Sequence, residues 1–318
     1  MITSDFCCVL CRTGGHPVPV AHEVKGDTQG TLQAVQCPMC SHVQLYPPEY
    51  DLGFYEQDGQ VAAVISDYGT PIEKVLEHSW IEARRRVERF ATHGIDLTSF
   101  GPAPRVLDVG GGYGFFGVEV KRQVPGAEVT VLEPSGMRVQ MGQEHLAAHC
   151  DPAHVPRFDV GLLDETFVAA NLHAFDMVTM WHVLEHLPDP VGLLRLALKV
   201  LKPGKGRLCI EVPNLNAELM DLSPAFRNRH FMLEHISYFT PATLEATARR
   251  AAGAADIRVH GYQRYGIFNA THWIEFNKPQ GANPDMFPGT SRWWLEDTWC
   301  QSKEETRTSD ALFMVVTT

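Results

Sequence analysis

The chain has 318 residues, 44% of them hydrophobic and 20% charged, which is the composition of a globular protein and excludes wholesale disorder. Lysine and arginine total 27 against 38 aspartates and glutamates, a formal net charge of −11 that argues against broad binding to a nucleic-acid backbone. No apolar run reaches the roughly 18 residues of a membrane span, and the opening MITSDFCCVLCRT lacks a basic region and a long apolar core, so neither a membrane helix nor a signal peptide is expected and the cytoplasm is the expected location.

Five of the eight cysteines fall within the first 40 residues. Cys8-x2-Cys11 and Cys37-x2-Cys40 are two knuckles separated by 25 residues. Each offers two thiolates from one tight turn, and together they make a closed tetrahedral sulfur set suited to a structural Zn2+. Cys7 could replace Cys8 at a wider spacing, and His42 lies nearby but is surplus if all four cysteines bind. Short β-like runs at 17–21, 32–36 and 42–46 complete a zinc ribbon over residues 1–50, too small to fold without its metal. Cys150, Cys209 and Cys300 read as small buried hydrophobes.

Residues 51–100 form a helical connector. Its main helix, 71–93, starts at Pro71 and carries an apolar stripe of Ile72, Val75, Leu76, Trp80, Ala83, Val87 and Phe90. Arg84, Arg85, Arg86 and Arg89 lie partly off the stripe and read as a solvated face, with an anionic-ligand patch as the alternative. From residue 105 short apolar strands (105–109, 128–132, 175–181, 206–212, 256–262, 311–317) alternate with helical stretches (114–123, 136–149, 190–201, 240–252). That alternation predicts an α/β domain over 101–318 with a mostly parallel sheet covered on both faces. The stretch 265–310, rich in Pro, Gly and Trp, is too long for an ordinary connection and reads as an insertion or lid, its tryptophans packing it onto the domain.

Strand 105–109 runs directly into Gly110-Gly-Gly-Tyr-Gly-Phe-Phe-Gly117. A glycine-rich turn between a strand and a helix lets a ligand approach backbone amides. Gly112-x-Gly114-x-x-Gly117, with Glu133 following 21 residues after Gly112, fits a dinucleotide fingerprint. Asp108-x-Gly110-x-Gly112-x-Gly114 supports a second reading.

On that spacing the sequence resembles the class I S-adenosylmethionine-dependent methyltransferases. Val106–Gly114 looks like their first motif and Val131-Leu-Glu-Pro134 like the acidic end of their second strand. The run from Phe175 to Pro190, containing Trp-His-Val-Leu-Glu-His, resembles their fourth-strand motif, and Leu201-Lys-Pro-Gly204 the turn before their fifth. The resemblance implies a seven-stranded Rossmann-like sheet. It places Gly110, Gly112 and Gly114 along the methionine part of the cofactor and Asp108 near its amino group. Glu133 would accept from the ribose hydroxyls, and Trp181 and His182 would lie beside cofactor or acceptor.

Glu234-His235-Ile-Ser237-Tyr238-Phe239 resembles the EHxSYF segment of the sugar C-methyltransferases of deoxysugar pathways, which also carry an N-terminal zinc-binding domain. That resemblance implies His235 as general base and Glu234 as its orienting or sugar-binding partner, with Tyr68 a further site residue; His182 and His186 are the other candidate bases, Glu185-His186 reading otherwise as structural support near the strand end. Met232 stands where that group has Tyr, so carbon and oxygen both remain open as acceptor atoms. The expected activity is methyl transfer to a small molecule, a sugar or nucleotide-sugar. The alternatives are a ribosomal RNA base methyltransferase, opposed by the net charge and by a ribbon whose only lysine is Lys25 and only arginine Arg12, and a cofactor-binding protein of this fold without catalysis. Oligomeric state is open.

Overall fold

A computed structural model describes residues 6–48, 51–56, 71–253, 255–279 and 293–318. Tyr68, Gly281, Pro284, Pro288 and Gly289 lie outside the described residues. Among the described residues no helix is long and apolar enough to cross a membrane.

The strands are β1 Val18–Ala21, β2 Gln33–Gln36, β3 Val43–Tyr46, β4 Arg105–Val109, β5 Glu128–Glu133, β6 Arg157–Val160, β7 Met177–Trp181, β8 Arg207–Pro213, β9 Ser237–Tyr238, β10 Asp256–Tyr262 and β11 Ala311–Thr317. Seven of them hydrogen-bond in the order β10-β11-β8-β7-β4-β5-β6, the α/β Rossmann-like arrangement, and four in the order β1-β2-β3-β9. The chain divides into two compact units. One holds Met1–Tyr50, His182–Leu194 and Ile210–Val316; the other holds Asp51–Trp181, Arg195–Cys209 and Thr317–Thr318.

In the second unit β4 pairs in parallel with β5 on one side and β7 on the other, and β5 pairs in parallel with β6. The chain therefore steps outward from β4 to β6 and returns to start again at β7. That reversal beside β4 is the topological switch point at which ligands of open α/β sheets bind. The interior is aliphatic, with Val106, Leu107, Val131, Met177 and Val178 fully enclosed. Helix Ile72–Thr92 lays Ala83, Val87 and Phe90 inward as its stripe predicts, and Trp80 stacks on Phe115 with ring centroids 4.7 Å apart. Strand β6 was not anticipated: its alternating burial is weak and it lies at the sheet's edge.

In the first unit β3 pairs antiparallel with β2 and with β9, bringing Val43 opposite Tyr238 and Gln44 opposite Ser237. Two further hydrogen bonds, Lys25 N–H to Phe231 O (2.8 Å) and Leu233 N–H to Lys25 O (2.9 Å), join the same two regions. Thr240 caps helix Pro241–Ala252 by accepting from Thr243 N–H, as the Thr-Pro pair predicts. Among its described residues the 265–310 stretch contains two helices, Ile267–Phe276 and Trp293–Thr306. Trp273 is buried against Leu219, Ala270 and Phe226, and Trp299 packs on the same cluster. Of the three remote cysteines only Cys209 is fully buried; Cys150 and Cys300 are partly exposed, which departs from the expected burial.

Candidate active site and metal centre

The glycine turn leaves β4 with Gly110, Gly112 and Gly114 all at positive φ, +66°, +56° and +79°. Gly114 combines that left-handed backbone with contact against Phe158, whose ring a Cβ would meet at 2.5 Å. Both conditions exclude a side chain. Glu133, at the end of β5, is buried and ties the turn down: Oε2 accepts from Gly112 N–H at 2.9 Å and Oε1 from Ser135 N–H at 3.1 Å. Each oxygen keeps a second lone pair for a ligand hydroxyl.

Asp108 lies fully buried beneath this turn. Its Oδ1 accepts from the Thr179 hydroxyl at 2.7 Å, while Oδ2 has no hydrogen-bond partner among the described residues. Burial raises the carboxyl pKa to about 7; the Thr179 bond and the Arg86 charge oppose that rise, and Glu133 adds to it. An orphaned buried carboxylate under a glycine turn matches a cationic amino group on a ligand, whose charge would favour the ionised form that burial opposes. Arg86 does not belong to a solvated face. Its guanidinium stacks over Trp181 at 5.0 Å, and Trp181 is itself wedged among Phe90 and Phe116. The sequence missed this residue because the arginines at 84, 85, 86 and 89 look alike until the helix is docked.

The first unit carries a separate polar cluster. His182 sits at φ +56° just past β7, a left-handed conformation that costs a non-glycine residue about 1–2 kcal/mol. Its N–H donates to Glu211 O at 2.9 Å, which helps hold that backbone. Its Nδ1 lies 3.0 Å from Glu185 Oε1 and its Nε2 2.7 Å from Glu211 Oε1. Burial alone would lower the His182 pKa, but the Glu211 charge and the bonds to both glutamates outweigh burial and the Arg264 charge, and the net direction is upward. Arg264 Nη1 also reaches His182 Nε2, at 2.9 Å, so both ring nitrogens are engaged by charged side chains. Glu211 and Arg264 were not singled out from the sequence. The signal for Glu211 was a carboxylate inside an otherwise apolar, buried strand, Arg207–Pro213.

His235 stands beside His186, ring centroids 5.0 Å apart. Its Nδ1 is buried without a partner among the described residues. Burial, reinforced by His186, His230 and His182, drives its pKa well below the usual histidine value, so the ring is neutral. His186 Nδ1–H donates to the Glu234 carbonyl at 2.7 Å. Glu234 thus meets the cluster through its backbone. Ile236 N–H donates to Glu185 O at 2.8 Å, closing the two segments on each other.

Cys8, Cys11, Cys37 and Cys40 converge, with donor atoms within 4.8 Å of one another. The Sγ of Cys8 and Cys40 are 3.6 Å apart and those of Cys11 and Cys37 3.7 Å. Four sulfurs at a Zn–S distance of about 2.3 Å form a tetrahedron with edges of about 3.8 Å, so this set fits the ion. Cys8 is buried within it and Cys7 is exposed outside it. His42 is not part of the set: it is fully buried and its Nε2 lies 3.2 Å from Ser237 Oγ.

The family model described as "Methyltransferase domain" matches residues 82–258, more than half of the chain. The chain belongs to this methyltransferase family. The methyltransferase is 33% identical over 117 residues to the ubiquinone biosynthesis O-methyltransferase of Vibrio cholerae serotype O1, an alignment covering 36% of this chain and 44% of that one. It thus spans less than half the length of the curated relatives it matches. Among solved structures it is similar to a methyltransferase from Archaeoglobus fulgidus (15% identity, 75% of this chain and 94% of that one, TM-score 0.48). It is also similar to phosphoethanolamine N-methyltransferase 2 of Haemonchus contortus in complex with S-adenosylmethionine (19% identity, 70% and 50%, TM-score 0.45).

Proposed function

We propose that the enzyme methylates a polar small molecule, a sugar or nucleotide-sugar, at an acidic hydroxyl or carbon, and that Glu185, His186 and His235 form the acceptor's site. The observation that carries this reading is the neutral, partly exposed His235 ring with an unpartnered Nδ1 at the edge of a buried polar network. Such an atom is where an acceptor's proton is removed before methyl transfer. Glu234 orients the site through its carbonyl, and His182 positions Glu185. The V. cholerae relative is an O-methyltransferase, which favours oxygen as the acceptor atom. The EHxSYF segment favours a sugar.

In the same reading Asp108 pairs with the amino group of S-adenosylmethionine, and Gly110, Gly112 and Gly114 let the backbone approach its methionine portion. Glu133 receives the ribose hydroxyls, and Trp181 supports Asp108 from behind. The four cysteines hold a structural Zn2+ that organises a ribbon over residues 1–50, followed by a connector over 51–100 and the catalytic domain over 101–318. Because these thiolates must stay reduced, the cytoplasm is the fitting compartment.

The test is incubation with S-adenosylmethionine and a panel of nucleotide sugars, with products read by mass spectrometry. Wild-type turnover on at least one, and a fall of about 10²-fold or more in His235→Ala with unchanged S-adenosylhomocysteine affinity, supports the reading. Near-normal turnover in that variant refutes it.

A further inference from the structure

We infer that Glu185, His186 and His235 bind a divalent transition-metal ion, separate from the four-cysteine set, with an open position for an oxygen of the acceptor. The inference rests on the reading of this cluster as the acceptor's site and changes how the proton is removed there.

One donor atom from each of the three residues lies within 4.8 Å of the others. Ligand distances of about 2.0–2.2 Å require donors about 3.3–3.6 Å apart, a contraction within reach of small side-chain torsions. Each donor is already prepared. His186 gives its Nδ1 proton to the Glu234 carbonyl at 2.7 Å, which leaves the lone pair on Nε2, 3.9 Å from Glu185 Oε1. Glu185 is 1% exposed; Oε1 accepts from His182 at 3.0 Å, and Oε2 is buried with no partner among the described residues. His235 Nδ1 is likewise buried and unpartnered.

A carbonyl orienting one ligand histidine and a histidine orienting the ligand carboxylate are the supports that metal ligands commonly receive from their surroundings. A buried carboxylate oxygen and a buried imidazole lone pair left without donors are both costly, and one cation relieves both. Two imidazoles and one carboxylate favour Zn2+, Fe2+ or Co2+ over Ca2+ and Mg2+, which prefer all-oxygen shells. Three protein ligands leave at least one position for an exogenous oxygen. An acceptor hydroxyl bound there is acidified by the ion and releases its proton to solvent. His235 then serves as ligand, its Nδ1 no longer available as a base.

The test uses the full chain, stripped with chelator, reloaded with Co2+ and desalted. The expected result is two Co2+ per chain, one with the intense thiolate charge-transfer absorption of a sulfur set and one without it. Glu185→Gln and His235→Ala should each fall to one ion while keeping the thiolate bands and S-adenosylhomocysteine binding, which certifies the fold. One Co2+ per chain in the wild type, or two that survive both substitutions, overturns the inference. If the wild type binds one ion yet His235→Ala still abolishes turnover, the metal is refuted while the acceptor site stands. Unimpaired turnover in His235→Ala removes the site itself.

Discussion

Asp108 should make cofactor affinity depend on pH. Its carboxyl is fully buried, and that burial raises its pKa to about 7. S-adenosylhomocysteine carries an α-ammonium that binds the ionised form. At about pH 6 roughly one Asp108 in ten is ionised, so binding must first supply about 1.4 kcal/mol to remove the proton; at about pH 8 nearly all are ionised. Affinity should therefore rise about tenfold from pH 6 to 8 and level off. Titration calorimetry in two buffers of different ionisation enthalpy should show a proton released near pH 6 and none near pH 8. The sign for stability is opposite. Between the ordinary aspartate pKa and about 7 the folded state holds a proton that the unfolded state has lost, so stability declines as pH rises, by up to roughly 4 kcal/mol. Asp108→Asn should flatten the affinity profile and weaken binding at pH 8 by about 1.5–3 kcal/mol, the scale of a hydrogen bond to a charged group. A flat profile in the wild type, or an unchanged slope in the variant, would refute the assignment.

Three other outcomes follow from the geometry. Glu133→Ala frees the Gly112 and Ser135 amides and removes the ribose acceptor, and should weaken S-adenosylhomocysteine binding by about 1.5–3 kcal/mol in the same calorimetric assay. Gly114→Ala forces a Cβ into Phe158 at positive φ and should lower the denaturation midpoint by an amount equivalent to about 1–3 kcal/mol, measured by urea unfolding. Cys37→Ser should abolish the bound Zn2+. It should also raise amide hydrogen exchange across 231–239, since Leu45 N–H to Ile236 O and Leu233 N–H to Lys25 O both depend on an ordered ribbon; unchanged exchange there would sever the link.

Where sequence and structure agree, the information was local. The turn after β4 demanded glycine at three positive-φ positions, the Thr240-Pro241 cap fixed a helix start, and the cysteine knuckles carried their own spacing. What stayed hidden depends on partners far along the chain. Strand β9 is two residues long and exists through its pairing with β3. The tethering of His182 by Glu211 joins a residue just past the end of β7 to one inside β8, and no periodicity in either segment reports it. Arg86 looked like its neighbours because only its angle on the docked helix sets it over Trp181. The helices inside 265–310 were masked by a composition of Pro, Gly and Trp that argues for loops even where short apolar faces pack.

The pairing of β3 with β9 also sets an order of events during synthesis. His42 and Ser237 are 195 residues apart in the chain yet 3.2 Å apart in space. At about 5–20 residues per second, the ribbon waits roughly 10–40 s for its partner strand to be made. During that interval β3 is an uncovered edge, the kind of surface that pairs with the wrong chain. The knuckles need nothing downstream: both CxxC turns lie within the first 40 residues, so an ion can gather them early and hold the nascent edge short and rigid until Ser237 and Tyr238 arrive. Metal supply at the ribosome would then govern the yield of folded enzyme, over and above anything it does for the finished molecule.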